Sequence, residues 1–120
     1  MMKQLVLTAF GVLQVHVCTA ADTGPADAAV QQVFKQTVEQ ARAVELKPGQ
    51  RCTAPAVQRF KVLKRGVLRK SAELPNGYYP VDAQVDLQCR QQAGGEVSQW
   101  SGQVELLLYQ NALQLWTVRW

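Results

Sequence analysis

The chain has 120 residues, 48% of them hydrophobic, with three cysteines, one histidine and a formal net charge of +4. That is enough apolar material for one core and too little length for two domains. The composition excludes a disordered or strongly acidic chain, and the single histidine leaves little room for histidine-based catalysis or metal binding.

Residues 1–21 read as an export signal. Lys3 gives a positive start, Leu5 to Val17 form a mostly apolar run, and Cys18-Thr19-Ala20-Ala21 supplies small residues for cleavage. Gln14 and His16 interrupt the run, which is short for a bilayer span. Cleavage after Ala20 or Ala21 fits, and acylation at Cys18 is the lipoprotein alternative. The expectation is a mature α+β domain over 22–120, periplasmic or secreted, with no transmembrane span.

Loss of the signal would remove Cys18 and His16. Cys52 and Cys89 then remain as an even pair, and in an oxidising compartment the expectation is one disulfide. Two cysteines without a histidine do not make a closed zinc site. No metal or other cofactor is expected.

Ala26 to Leu46 carries helical spacing, with Ala26, Val30, Val33, Phe34, Val38, Ala41 and Val44 along one stripe. Pro25 and Asp27 suit a helix start, and Lys47-Pro48-Gly49 suits a stop. The pattern predicts one long helix. Val57 to Leu63 reads as a strand, with Gly66 as a bend after it.

Pro75-Asn76-Gly77-Tyr78 is a hairpin signal, since both residues of Asn-Gly accept positive φ. The register it implies sets Leu74 opposite Tyr79, Ala72 opposite Val81, Lys70 opposite Ala83 and Leu68 opposite Val85. The returning strand alternates Tyr79, Val81, Ala83, Val85, Leu87 and Cys89 against Asp82, Gln84, Asp86 and Gln88, one buried face and one wet face. A final hairpin over the loop Gln110-Asn111-Ala112 sets Leu106 opposite Trp116, Val104 opposite Val118 and Gly102 opposite Trp120.

One long N-terminal helix packed on a curved, antiparallel four-stranded meander, with one disulfide, is the expected fold. That order of elements resembles the cystatin-like and NTF2-like architectures over most of the mature chain. The resemblance is topological and implies fold only. No Gln-x-Val-x-Gly inhibitory stretch of the cystatins is present, and NTF2-like domains usually carry more than one helix.

Catalytic patterns are sparse. A histidine triad is excluded once His16 is removed, Gly94-Gly95 lacks the context of a phosphate loop, and Asp82 and Asp86 stand roughly 13 Å apart along one strand face. Paired carboxylates in glycoside hydrolysis sit within ~5–9.5 Å. No catalytic residue is assigned.

Two surfaces stand out. Arg59, Lys61, Lys64, Arg65, Arg69 and Lys70 lie within twelve residues without an acid among them. The first five are candidate anion-binding residues for anionic lipid or lipopolysaccharide, or else a charged edge that blocks strand association. Nucleic acid is not expected, because Phe60 is the only aromatic residue among them. Lys70, on the buried side of the implied register, is a candidate pocket residue. In the last hairpin Leu107, Tyr109, Leu113 and Leu115 fall on the face away from the helix, with Leu107 across from Leu115 and Tyr109 across from Leu113. They form a candidate interface for a protein partner or homodimer.

The functional expectation is a small exported, non-catalytic binding module that recognises another macromolecule. The alternatives are a small-ligand carrier or pocket enzyme of NTF2-like type, and an inhibitor or immunity protein that neutralises a toxic enzyme.

Overall fold

The computed structural model describes residues 24–91 and 95–120. The expected signal at 1–21 and the Gly94 of the Gly-Gly link lie outside them.

Helix α1 runs Asp27–Glu39, 13 residues, and buries Val30, Phe34 and Val38. The spacing of four keeps these three on one stripe. Asp27 occupies the first turn, where the positive end of the helix favours a carboxylate.

The long helix expected to Leu46 is corrected: it ends at Glu39, and the chain from Ala43 enters a β-hairpin. β1 (Ala43–Lys47) pairs antiparallel with β2 (Gln50–Thr53), Val44 opposite Cys52. Val44 and Leu46 are buried while Glu45 and Lys47 are exposed, so the true period here is two. Pro48-Gly49 turns the hairpin instead of merely stopping a helix. Gly49 has φ +78°, and its N–H donates to the Glu45 carboxylate at 2.6 Å.

A four-stranded antiparallel sheet follows, in the order β3 (Ala56–Arg65), β4 (Tyr79–Arg90), β5 (Val97–Gln110), β6 (Trp116–Arg119). The alternation expected for β4 holds: Val81, Ala83, Val85, Leu87 and Cys89 are buried, and Asp82, Gln84, Asp86 and Gln88 are partly exposed on the opposite face. Val104, Leu106 and Leu108 of β5 and Val118 of β6 complete the inner face. Phe34 is fully buried, its ring centroid 5.2 Å from Phe60 and 6.0 Å from Trp120. The helix thus crosses the sheet from β3 to β6.

The partner of β4 differs from the one the Asn-Gly turn implied. Val62, not Lys70, stands opposite Ala83, and Phe60, not Leu68, opposite Val85. Residues 66–78 form an excursion between β3 and β4. Its base is an isolated bridge in which Arg69 and Tyr78 exchange two backbone hydrogen bonds of 2.8 Å. The Asn-Gly turn does form, closed by the Gly77 N–H to the Leu74 carbonyl at 3.0 Å with Gly77 at φ +106°. It turns the tip of this excursion rather than joining two long strands. Apolar pairing favours β3, whose Val57, Phe60 and Val62 reach the core, over 68–74, whose Leu68 stays 46% exposed.

The final hairpin is corrected as well. Leu108 faces Val118 and Gln110 faces Trp116, so the loop is 111–115, two residues longer than expected. The inner and outer faces keep their parity, because the register moves by an even number.

Cys52 and Cys89 form the expected disulfide, with Cα atoms 5.2 Å apart. It ties β2 of the small sheet to the end of β4. The Trp100 indole N–H donates to Gln50 Oε1 at 2.8 Å and holds the same hairpin from β5. Glu39, at the end of α1, accepts the Val57 N–H at 2.9 Å and fixes the start of β3.

Candidate functional site

The end of the sheet beyond the helix N-terminus carries the most distinctive surface. Tyr79 and Trp116 extend the inner face past the helix, their rings 6.0 Å apart. Gly24 lies directly over the Tyr79 ring, where a Cβ would come within 2.7 Å of it, and has φ +81°. Leu68, Asn76 and Gly77 from the excursion and Tyr109 from β5 complete a groove of about 190 Å³.

Beside the groove sits the 111–115 loop. Asn111 Oδ1 accepts the N–H groups of Leu113 at 2.9 Å and Leu115 at 3.1 Å. The Asn111 N–H donates to the Leu115 carbonyl at 3.0 Å, and the Gln114 N–H to the Asn111 carbonyl at 2.8 Å. Gln114 adopts φ +63°, and its carbonyl accepts from Gln110 Nε2 at 3.3 Å. The loop's form is therefore set by polar groups, an Asx-type turn. The side chains of its two leucines stand outside this network, and the residues remain 77% and 59% exposed.

Of the four interface candidates, Tyr109, Leu113 and Leu115 lie at this end. Leu107 does not join them: it stands on the outer face between Pro80 and Arg119. Tyr109 faces Thr117 rather than Leu113. The Leu107–Leu115 and Tyr109–Leu113 pairings are corrected, because the longer loop lifts both partners out of the strand. The Tyr79–Trp116 groove was missed in the sequence. Its signal was the presence of two aromatic residues on inner-face positions with no helix residue left to cover them.

Two of the six basic residues, Arg59 and Arg65, are paired with carboxylates. Arg59 approaches Asp86 at 3.8 Å. Arg65 is on the inner side of β3, where its guanidinium binds the Asp27 carboxylate and the Pro25 carbonyl. It anchors the start of the helix rather than presenting a free cation. Lys64 stands opposite Asp82, and both line a cleft of about 100 Å³ with Arg69 and Glu105. Lys61 faces Gln84. Lys70 lies exposed in the excursion and lines neither the groove nor the cleft, because the strand that would have turned it inward is not there.

Among the described residues no group of three or more histidine, cysteine, aspartate or glutamate side chains is placed to hold a metal ion, and no helix is long and apolar enough to cross a membrane. No protein-family model matches the chain, and no curated protein or solved structure does either.

Proposed function

We propose that this chain is a small exported binding module, without catalysis of its own, that recognises another protein through the groove and the 111–115 loop. One observation carries the reading: a loop fixed by its own polar network holds Leu113 and Leu115 in water beside an aromatic groove. Full burial of a leucine is worth roughly 1.5–3 kcal/mol. The fold leaves that stabilisation unused at both positions, where a partner would gain it. Aromatic side chains are enriched at the buried centre of protein interfaces, and Tyr79, Tyr109 and Trp116 line this groove.

The buried Cys52–Cys89 bridge supports an oxidising compartment, periplasmic or extracellular. The order of helix and meander supports the cystatin-like or NTF2-like resemblance as a scaffold for surface recognition. At about 190 Å³ the groove is smaller than the ~300–1,000 Å³ of small-molecule sites, which favours a macromolecular partner over the carrier or pocket-enzyme alternative. An inhibitor or immunity role is a special case of the same reading, its partner being the enzyme it restrains.

The test is photo-crosslinking in the cells that export the protein. A photoreactive residue replacing Leu113 should give one discrete adduct, and the same residue replacing Lys35, on the exposed side of α1, should not. The adduct should disappear when Tyr109 is changed to Ser. No adduct at 113, or the same adduct at both positions, sinks the proposal.

A further inference from the structure

The two edges of the four-stranded sheet are built in opposite ways. β3 is one edge. It is interrupted by two bulges, between Val57 and Arg59 and between Val62 and Lys64, and carries Arg59, Lys61, Lys64 and Arg65. Bulges and cations are the means by which natural sheets keep an edge from pairing with another chain. The other edge is the first half of β5, because β6 covers only Leu107 to Gln110. Continuing that register sets Trp120 beside Leu106, and among the described residues no strand pairs with the other side of 97–105.

This open stretch has none of the protections of β3. Its pairing with β4 runs from Val97 to Leu108 without a register shift. It contains no proline, no lysine and no arginine, and Glu105 is its only charge. Nine residues of regular strand give about 30 Å of edge, with every second residue aiming its N–H and C=O outward. None of these outward groups bonds to another strand among the described residues.

We infer that this edge pairs with the same edge of a second copy of the chain, antiparallel about a twofold axis through Ser101. The occupant follows from self-complementarity. An antiparallel pair keeps the inner faces of both copies on one side only if the paired numbers sum to an even value, and the open stretch 97–105 is centred on Ser101. That register sets Gln99 opposite Gln103, Ser101 opposite Ser101, and Val97 opposite Glu105 on the outer face. Amides and hydroxyls meet their own kind, which both donate and accept, and no charge meets a like charge. On the inner face Trp100 of one copy comes opposite Gly102 of the other. In the single chain the Trp100 ring already lies over Gly102, with its Cη2 atom 2.9 Å from where a Cβ would stand. Each copy therefore covers its own Gly102 and brings one aromatic ring to the inner face beside the axis. The result is an isologous dimer with the two sheets continuous through β5, and with both leucine loops left free.

Sedimentation of the oxidised protein tests this together with two variants. The wild type should be a dimer. Gln99→Lys with Gln103→Lys places lysines directly opposite each other twice in the dimer, while both positions are exposed in the single chain. Association should weaken roughly tenfold or more, with thermal unfolding of the monomer unchanged. Ser101→Cys should give a covalent dimer on mild oxidation, because directly opposed residues lie within disulfide reach. The same substitution at Lys35 should not. A wild type that stays monomeric up to about 1 mM overturns the inference. So does a dimer that neither the double lysine variant weakens nor Ser101→Cys traps, since its contact would lie elsewhere.

Discussion

Replacing Cys52 and Cys89 together by alanine should remove about 4 kcal/mol of stability. The bridge closes a sequence separation of 37 residues. In the chain-entropy treatment a loop of that length restricts the unfolded chain by about 13 cal/mol/K, or about 3.8 kcal/mol at 25 °C. Both sulfurs are buried, Cys52 at 2% and Cys89 at 7% exposure, so their loss also leaves small gaps in the core. Against a total of roughly 5–15 kcal/mol, this is a major share. The double variant avoids the free thiol that a single substitution would create. Urea unfolding of oxidised wild type and variant measures the difference, and the melting midpoint should drop by roughly 15–30 °C. The loss should also be local. The β1–β2 hairpin is held to the large sheet by this bridge, by the Gln50–Trp100 hydrogen bond and by the burial of Val44 and Leu46, so its amides should exchange faster in the variant while those of β4 keep their order of protection. A stability change below about 1 kcal/mol would falsify the view that the bridge stabilises the fold by restricting the unfolded chain.

Two further outcomes follow from the core and the helix anchor. Phe34→Ala empties the space between Phe60 and Trp120 and should cost about 3–5 kcal/mol by chemical denaturation; a cost under about 1 kcal/mol would mean that the helix is not seated on the sheet. Arg65→Ala should cost about 1 kcal/mol, since Asp27 is largely exposed and the pair is screened. Amide exchange in the first turn of α1 should quicken, and an unchanged first turn would show that Arg65 does not hold the helix start.

Different kinds of sequence signal survived folding to different degrees. The inner and outer faces of β4 were legible because period two ran unbroken from Tyr79 to Cys89, and no helical reading fits that run. The disulfide was legible from parity alone, once Cys18 was set aside with the signal. The end of the helix was not, because Val44 lies three residues after Ala41, a helical spacing, and also two before Leu46, the alternation of a strand. Only the antiparallel pairing of Val44 with Cys52 decides between them, and that depends on a tertiary bond. Asn76-Gly77 announced a turn correctly, but turn chemistry fixes local geometry and not the identity of the strand that pairs beyond it. Asn111 shows the same limit from the other side. Its carboxamide organises a five-residue loop where hydrophobic pairing favoured three, and hydrophobic patterns cannot register a side chain that acts by accepting backbone hydrogen bonds. Of the candidate surfaces, Leu113 and Leu115 were found by their apolar character. The groove beside them needed the true register, and the free edge of β5 needed the shortness of β6.

The Asn111 loop separates shape from content. Its backbone course is written by the carboxamides of Asn111 and Gln110 and a few main-chain bonds, while the side chains at 113 and 115 are outside that arrangement. Substitution at these two positions therefore alters what the surface presents without altering the surface that presents it. Successive mutations there are each nearly neutral for folding, and a library randomised at 113 and 115 would remain a library of folded proteins.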